Sequence, residues 1–130
     1  MGDKRGCTAS SRADVEGRKV KTIFGKIIAG EIPAEKVFES ERILAIKDIA
    51  PVAPVHILIM PKKAIASLQD LREEDLSLVA EIVLVAQKLA VQFGIADGYR
   101  LVTNNGEDGG QTVFHLHFHL IGGRKLLHLV

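Results

Sequence analysis

Apolar residues and histidines alternate strictly over residues 114–120, near the C-terminus of the chain. Successive side chains of an extended strand point to opposite faces of a sheet, so this alternation predicts a strand with one apolar face packed on a core. The other face carries the histidine row, which consists of His115, His117 and His119. The chain must therefore build a sheet that presents three imidazoles on one side.

Runs of apolar and β-branched residues separated by turn residues predict the rest of the sheet. The predicted strands cover residues 37–39, 43–47, 55–60, 99–103 and 112–121. A short helix is expected where Thr22 can cap its start and Gly30 can end it. A long helix is expected over residues 70–94, because Asp70 and Glu73 are spaced as a capping box. This order predicts an α+β fold with a mainly antiparallel five-stranded sheet.

The predicted long helix has a wider apolar arc than one side of a small sheet covers. Its polar side chains fill roughly 140° of the circumference, and apolar side chains fill the remainder. The same helix of a second copy, related by a two-fold axis, is the simplest surface to cover the surplus. We therefore expect a homodimer; a monomer whose own core envelops the helix is the alternative.

The composition indicates a folded domain without a polyanionic partner. Hydrophobic residues make up 47% of the 130 residues, and a net charge of +1 creates no field that would attract nucleic acid or an anionic membrane. Residues 1–21 are mostly polar and are expected to form a flexible tail, whereas residues 22–130 form one domain. The only cysteine is Cys7, and no apolar run approaches the ~20 residues of a membrane span, so we expect a cytoplasmic protein.

The histidine row is compatible with two chemistries. A zinc site would combine His56 with His115 and His117, or with His117 and His119. Alternate strand residues lie ~6.6 Å apart, however, so three in a row converge poorly on one ion. In the catalytic interpretation, a neutral imidazole attacks an electrophile while its neighbours orient it and donate protons. The pattern favours catalysis and leaves zinc as the alternative.

Residues 104–112 form a glycine-rich loop just before the histidine row. The loop offers backbone amides, side-chain amides and a hydroxyl, which suit an oxyanion. It lacks the Gly-Lys-Ser or Gly-Lys-Thr of a Walker motif, so by itself it indicates phosphate only weakly. Beside three imidazoles, an anion-binding loop favours phosphoryl or nucleotidyl transfer.

Together these segments resemble the histidine triad (HIT) family, and in particular its Hint branch of histidine triad nucleotide-binding proteins. The family signature is three histidines that alternate with hydrophobic residues, as over residues 115–121. The supporting segments are residues 22–28, 48–56, 61–63, 97–100, 108–112 and 122–124. The resemblance extends over residues 22–125 and implies a HIT-like fold, with the sheets of two subunits joined in a homodimer.

The resemblance also implies an activity, the hydrolysis of purine nucleoside phosphoramidates at the α-phosphorus, as in an adenosine 5'-monophosphoramidase, with no cofactor and no metal. His117 would be the nucleophile that forms a nucleotidyl-histidine. His115 and His56 would orient its ring. His119 and Thr112 would contact the phosphate and the leaving group. Thr112 stands where relatives often carry Ser, and it retains the hydroxyl donor.

The resemblance assigns the remaining nucleotide contacts as well. Asp48 would hydrogen-bond the ribose hydroxyls. Four apolar residues would form the wall of the base pocket: Ile23, Phe24, Ile27 and Ile49. Three loop residues would complete the ribose and phosphate contacts: Asn104, Gly110 and Gln111. Two other functions stay open, a nucleotide-binding adaptor with vestigial hydrolysis and a zinc-binding regulatory protein.

Overall fold

The structure, a computed structural model, describes residues 21–128. The predicted tail, apart from Lys21, and Cys7 lie outside the described residues. The elements in chain order are α1 (Ile23–Ile28), β1 (Lys36–Glu39), β2 (Ile43–Lys47), β3 (Val55–Pro61), α2 (Leu76–Gln92), β4 (Tyr99–Val102) and β5 (Phe118–Gly122). Single 3₁₀ turns cover Leu68–Asp70, Glu73–Asp75 and Glu107–Gly109.

The five strands form one sheet in the order β1-β2-β3-β5-β4, and every neighbouring pair is antiparallel. The predicted α+β class with an antiparallel five-stranded sheet is therefore confirmed. Strand β5 returns between β3 and β4, so residues far apart in sequence become neighbours. In this register Leu58 lies opposite His119, and His56 lies opposite Ile121.

Both faces of the central strands are buried. Helix α2 packs on one face, against a cluster that includes Ile57, Ile59 and Leu120. Helix α1 covers the other face, where Phe24 and Ile27 pack with residues of β2 and β3. Strands covered on both sides read as continuous apolar runs rather than as alternating ones, which is what β2 and β3 show. The α1 side of the sheet is also the side of the histidine row.

Helix α1 begins as predicted. The Thr22 hydroxyl accepts a hydrogen bond from the Gly25 backbone N–H at 3.0 Å, which satisfies one of the free donors of the first turn. After the helix, Gly30 adopts a φ of +82°, a left-handed conformation that a side chain would disfavour. The short helix thus brings its apolar side over the site-bearing face of the sheet.

The long helix begins at Leu76, so the start predicted at residue 70 is wrong. The Asp70 carboxylate accepts a hydrogen bond from the Ser67 hydroxyl at 2.7 Å instead of capping the helix. The Asp75 carboxylate accepts from the Arg72 backbone N–H at 3.0 Å, in the second 3₁₀ turn. The predicted end is confirmed, because the helix stops at Gln92 and Gly94 has a φ of +72°.

One side of helix α2 packs on the sheet, and the other side exposes further apolar side chains. Leu76, Val83, Leu84 and Val91 are between 41% and 70% exposed. The surplus apolar arc predicted from the sequence is thus present on the surface of the single chain. No helix within residues 21–128 is long and apolar enough to cross a membrane.

The last strand is shorter than predicted, because pairing starts at Phe118 rather than at residue 112. Continuing the register of β3 and β5 would place Leu116 opposite Pro61, which has no N–H to donate. The Leu116 N–H instead donates to the Ile65 carbonyl at 2.7 Å. His115 and His117 therefore lie on an irregular segment before the strand, and only His119 belongs to the sheet.

Candidate active site

His117 is held by a backbone carbonyl. Its Nδ1–H donates to the carbonyl of His115 at 2.7 Å, so in the neutral ring Nε2 keeps its lone pair. The edge of the ring packs against Phe24, with centroids 4.8 Å apart and planes at 78°. Burial lowers the pKa of His117, while the His115 bond and the charge of Asp48 act in the opposite direction. The position predicted for the nucleophile thus carries a neutral, oriented imidazole.

His56 and His119 form a hydrogen-bonded pair across β3 and β5. The Val52 backbone N–H donates to His56 Nδ1 at 3.2 Å, so the proton of neutral His56 resides on Nε2. His56 Nε2–H donates to His119 Nδ1 at 2.9 Å. The proton of neutral His119 must then reside on its own Nε2. His56 was expected to orient His117, but its ring contacts His119 instead.

The rings of His117 and His119 lie 5.1 Å apart, which puts a lone pair and an N–H donor side by side. The pKa of His119 is lowered to about 4, first by burial and then by the neighbouring His117 and His56, while Asp48 opposes the shift. The ring is therefore neutral near pH 7 in the free protein. It acts there as a hydrogen-bond donor rather than as a cation.

His115 has a structural contact. Its ring is 3% exposed, and Nε2–H donates to the Pro61 carbonyl at 2.7 Å. Burial lowers its pKa, so the ring is neutral as well. His115 does contact His117, as expected, but not through its imidazole. The backbone carbonyl of His115 orients the neighbouring ring, while its imidazole anchors this segment to the end of β3.

Asp48 lies beside the imidazole pair. Its Oδ1 accepts from the Ala50 backbone N–H at 2.8 Å, and its Oδ2 is 3.4 Å from His56 Nε2. Among residues 21–128, the group of metal-binding side chains that converges is Asp48, His56 and His119, whose ligand atoms lie within 4.8 Å of one another. This group includes neither His115 nor His117, so neither of the zinc sets considered from the sequence is assembled.

The four apolar residues predicted for the base pocket differ in exposure. Phe24 touches the His117 ring and is buried. Ile27 is 6% exposed and packs in the core under α1, so it supports the pocket more than it lines it. Ile23 is 49% exposed and Ile49 is 98% exposed. The two exposed isoleucines offer apolar surface beside the site.

The glycine-rich loop folds on itself. The amides of Gly109, Gly110 and Gln111 donate to carbonyls of the same loop, so they do not form an outward-facing anion cradle. Gly110 has a φ of +94°, and a Cβ there would lie 3.9 Å from the Asn104 side chain. Thr112 is exposed with its hydroxyl at the end of the loop.

Gln111 does not have the role expected of it. Its side chain is 4% exposed. The Nε2 group donates to the carbonyls of Ala66 at 2.7 Å and Val113 at 3.0 Å, and Oε1 accepts from the Gly106 N–H at 2.8 Å. A side chain with all of these partners has no group left for a phosphate. Gln111 braces the loop from inside.

Three residues near the site were given no role from the sequence. The Thr103 hydroxyl donates to the His117 carbonyl at 2.7 Å. Arg124 Nη2 donates to the Val52 carbonyl at 3.0 Å, and Val52 in turn contacts His56. The adjacent glycines were a signal for Arg124, since a Gly-Gly pair at the end of a strand marks a close backbone approach. For Val52, whose contacts come from its backbone, the residue type gave no signal.

Comparison with known proteins decides the family. A HIT domain family model matches residues 29–126. The chain belongs to the HIT family. A HIT-like protein of Chlamydia pneumoniae is 58% identical over 105 residues, which is 81% of this chain and 96% of the relative.

Solved structures agree with this assignment. A HIT family hydrolase from Legionella pneumophila superposes with a TM-score of 0.80 at 50% identity, covering 82% of this HIT protein and 96% of that chain. A histidine triad nucleotide-binding protein from Candida albicans gives a TM-score of 0.70 at 32% identity, with 85% and 86% covered. The protein is therefore of the HIT hydrolase-like kind.

Proposed function

We propose that this HIT protein is a purine nucleoside phosphoramidase that acts at the α-phosphorus through a nucleotidyl-histidine intermediate. The observation that carries the proposal is the 2.7 Å hydrogen bond from His117 Nδ1–H to the His115 carbonyl. It leaves Nε2 of a neutral imidazole available as a nucleophile. The proton on Nε2 of the neighbouring His119 supplies the donor that a leaving group needs.

In the first step, His117 Nε2 attacks the α-phosphorus and forms a new P–N bond, while the P–N bond to the leaving amine breaks. The departing nitrogen takes a proton from His119. In the free protein burial holds the pKa of His119 down at about 4. A bound phosphate is anionic and favours the imidazolium, so His119 takes up a proton on Nδ1 when the substrate binds, and the His56 Nε2–H then turns to Asp48 Oδ2, 3.4 Å away. His119 next delivers its Nε2 proton to the amine.

In the second step, water attacks the phosphorus and the bond between phosphorus and His117 Nε2 breaks. Neutral His119 accepts the proton that the water loses, which restores the acid for the next cycle. The products are the free amine and the nucleoside monophosphate. Two imidazoles thus perform both displacements, and the proton taken by the amine is replaced by one from water.

The nucleotide contacts follow from the surfaces around the imidazoles. Asp48, beside His56, would accept hydrogen bonds from the ribose hydroxyls. The exposed side chains of Ile23, which precedes Phe24, and of Ile49, which follows Asp48, would be covered by a purine base, which would remove apolar surface from water. Because the Gln111 side chain is occupied inside the loop, we assign Asn104 and the exposed Thr112 to the phosphate side.

The proposal includes a homodimer. Four exposed apolar side chains of α2 support it: Leu76, Val83, Leu84 and Val91. Apolar side chains repeated on the outer side of one helix form a patch that water disfavours, and the same helix of a second copy would cover it.

Substrate assays with single-residue variants test the proposed chemistry. Adenosine and guanosine 5'-phosphoramidates with different amines are incubated with the wild type, His117→Ala and His128→Ala. His117→Ala should lose turnover while still binding the nucleoside monophosphate, because base and ribose contacts lie elsewhere. His128, which is exposed and outside the site, provides the matched control and should retain the wild-type rate.

Rapid quenching with intact-mass detection should reveal a nucleotidyl adduct in the wild type and none in His117→Ala. A His117→Ala protein that keeps more than about a tenth of the wild-type kcat would exclude His117 as the nucleophile. Nucleotide binding without turnover in the wild type would favour the adaptor function instead.

A further inference from the structure

Val52 is fixed by its backbone rather than by packing. It lies in the loop between β2 and β3, and its side chain is 59% exposed. Its N–H donates to His56 Nδ1 at 3.2 Å, and its carbonyl accepts from Arg124 Nη2 at 3.0 Å. Pro51 and Pro54 on either side have no N–H of their own to anchor the loop. The two hydrogen bonds of Val52 therefore hold this part of the loop to the rest of the molecule.

Two glycines precede Arg124 at the end of β5. A Cβ at Gly122 would lie 2.8 Å from Ile95 Cδ1, and a Cβ at Gly123 would lie 2.9 Å from Pro54 Cβ. Gly123 also has a φ of +99°. Gly122 thus allows β5 to pack against Ile95, and Gly123 allows the chain to leave β5 close to Pro54 of the loop. Arg124 itself is exposed, so its guanidinium acts through hydrogen bonds and not through burial.

The direction of these bonds sets the position of two protons. Because a backbone N–H can only donate, Val52 forces His56 Nδ1 to accept, and the His56 proton stays on Nε2. That proton is donated to His119 Nδ1, which keeps the His119 proton on Nε2. With the opposite tautomer of His56, the bond between the rings would reverse and His119 would present a lone pair to the phosphate.

We propose that Arg124 is a positioning residue that fixes Val52 and, through Val52, selects the tautomers of His56 and His119. The effect of Arg124 on the reaction rate rests on the proposed function, whereas the positions of the His56 and His119 protons do not. Arg124 touches neither imidazole. Its effect passes through the Val52 backbone, so it should disappear when His56 is absent.

The spectroscopic test uses the full-length protein labelled with ¹⁵N and contains no nucleotide. Long-range ¹H–¹⁵N correlations distinguish a protonated from a non-protonated ring nitrogen in neutral histidine. The wild type should show a non-protonated Nδ1 and a protonated Nε2 for both His56 and His119. In Arg124→Met the two nitrogen signals of each ring should move toward each other, as the second tautomer becomes populated. Arg124→Lys, which can still donate one bond, should lie between the two.

Arg100→Met is the matched control. The Arg100 guanidinium also donates to a backbone carbonyl, at 2.7 Å, but that carbonyl belongs to Leu127 and not to the loop that carries Val52. Its spectra at His56 and His119 should coincide with those of the wild type. Unchanged signals of these two rings in Arg124→Met would overturn the proposal, whatever the enzyme does with phosphoramidates.

The kinetic test is a double-variant cycle. Arg124→Met should lower kcat/KM about fivefold, the usual effect of losing one hydrogen bond, because only part of the protein then has the competent tautomer. In a His56→Ala background the same substitution should have almost no further effect. Equal losses in both backgrounds would show that Arg124 acts elsewhere. An inactive wild type would refute the proposed function and leave the NMR result to decide on Arg124.

Discussion

Replacing Gln111 separates a bracing role from a phosphate contact. In Gln111→Ala, two carbonyls and one N–H in the buried surroundings lose their partner at once. A buried main-chain group left without a partner costs about 1 to 3 kcal/mol, and water can reach some of these groups once the side chain is gone. We therefore expect the free energy of unfolding to fall by about 4 kcal/mol. For a domain of this size, that loss lowers Tm by on the order of 15 °C.

Urea denaturation at one fixed protein concentration measures this change. Gln92→Ala, at the exposed end of α2, is the control and should change the free energy of unfolding by less than about 0.5 kcal/mol. Gln111→Glu keeps an acceptor for the Gly106 N–H but sets a carboxylate oxygen against two carbonyls. It should be at least as destabilising as Gln111→Ala. A Gln111→Ala protein of nearly wild-type stability with a raised KM would refute the bracing role and restore the phosphate contact.

Three further predictions concern pH, assembly and metal. The free energy of unfolding should fall by about 3 kcal/mol as the pH drops from about 7 to about 4, because the pKa of His119 is lowered to about 4 and the unfolded chain binds the proton first. In His119→Asn, the urea midpoint of unfolding should depend less on pH across this range. The same pH dependence in the variant and the wild type would contradict the assignment to His119. Val83→Asp should halve the mass measured by light scattering at low micromolar concentration, or cause aggregation, because it places a charge on the exposed apolar side of α2, where Val83 is 41% exposed. A monomeric wild type would refute the dimer. Val85→Asp cannot test the interface, since Val85 is 5% exposed in the core. Prolonged EDTA treatment should leave the rate unchanged, and zinc-dependent recovery of a lost activity would favour a metal at Asp48, His56 and His119.

Local patterns in the sequence were sufficient for many features of the fold. The period of two around the histidines predicted three imidazoles on one face. The structure places His117 and His119 side by side, while the His115 ring is bonded to the Pro61 carbonyl instead. The Thr22 cap and the stop at Gly94 were also predicted correctly. Capping and strand alternation depend on residues only a few positions apart, so a sequence contains all the information they require.

The partners of the site residues were decided by tertiary structure. His56 and His119 are 63 residues apart, and they meet because β5 inserts next to β3. The alternation of side chains along a strand indicates which side of the sheet a residue faces, but it does not indicate which strand lies beside it. The family resemblance implied that His56 orients His117, whereas in the structure its ring is bonded to His119.

The local deviations have the same cause. Pro61 ends the ladder at a point that becomes visible only when the register of β3 against β5 is known. The carbonyls that occupy Gln111 come from Ala66 and Val113, and one of them is 45 residues away. Residue types and their spacing determined that this protein has a histidine-bearing sheet with two helices. Strand register and the pairing of buried polar groups, which are long-range and geometric, determined which imidazole donates, which one attacks and which side chains only support them.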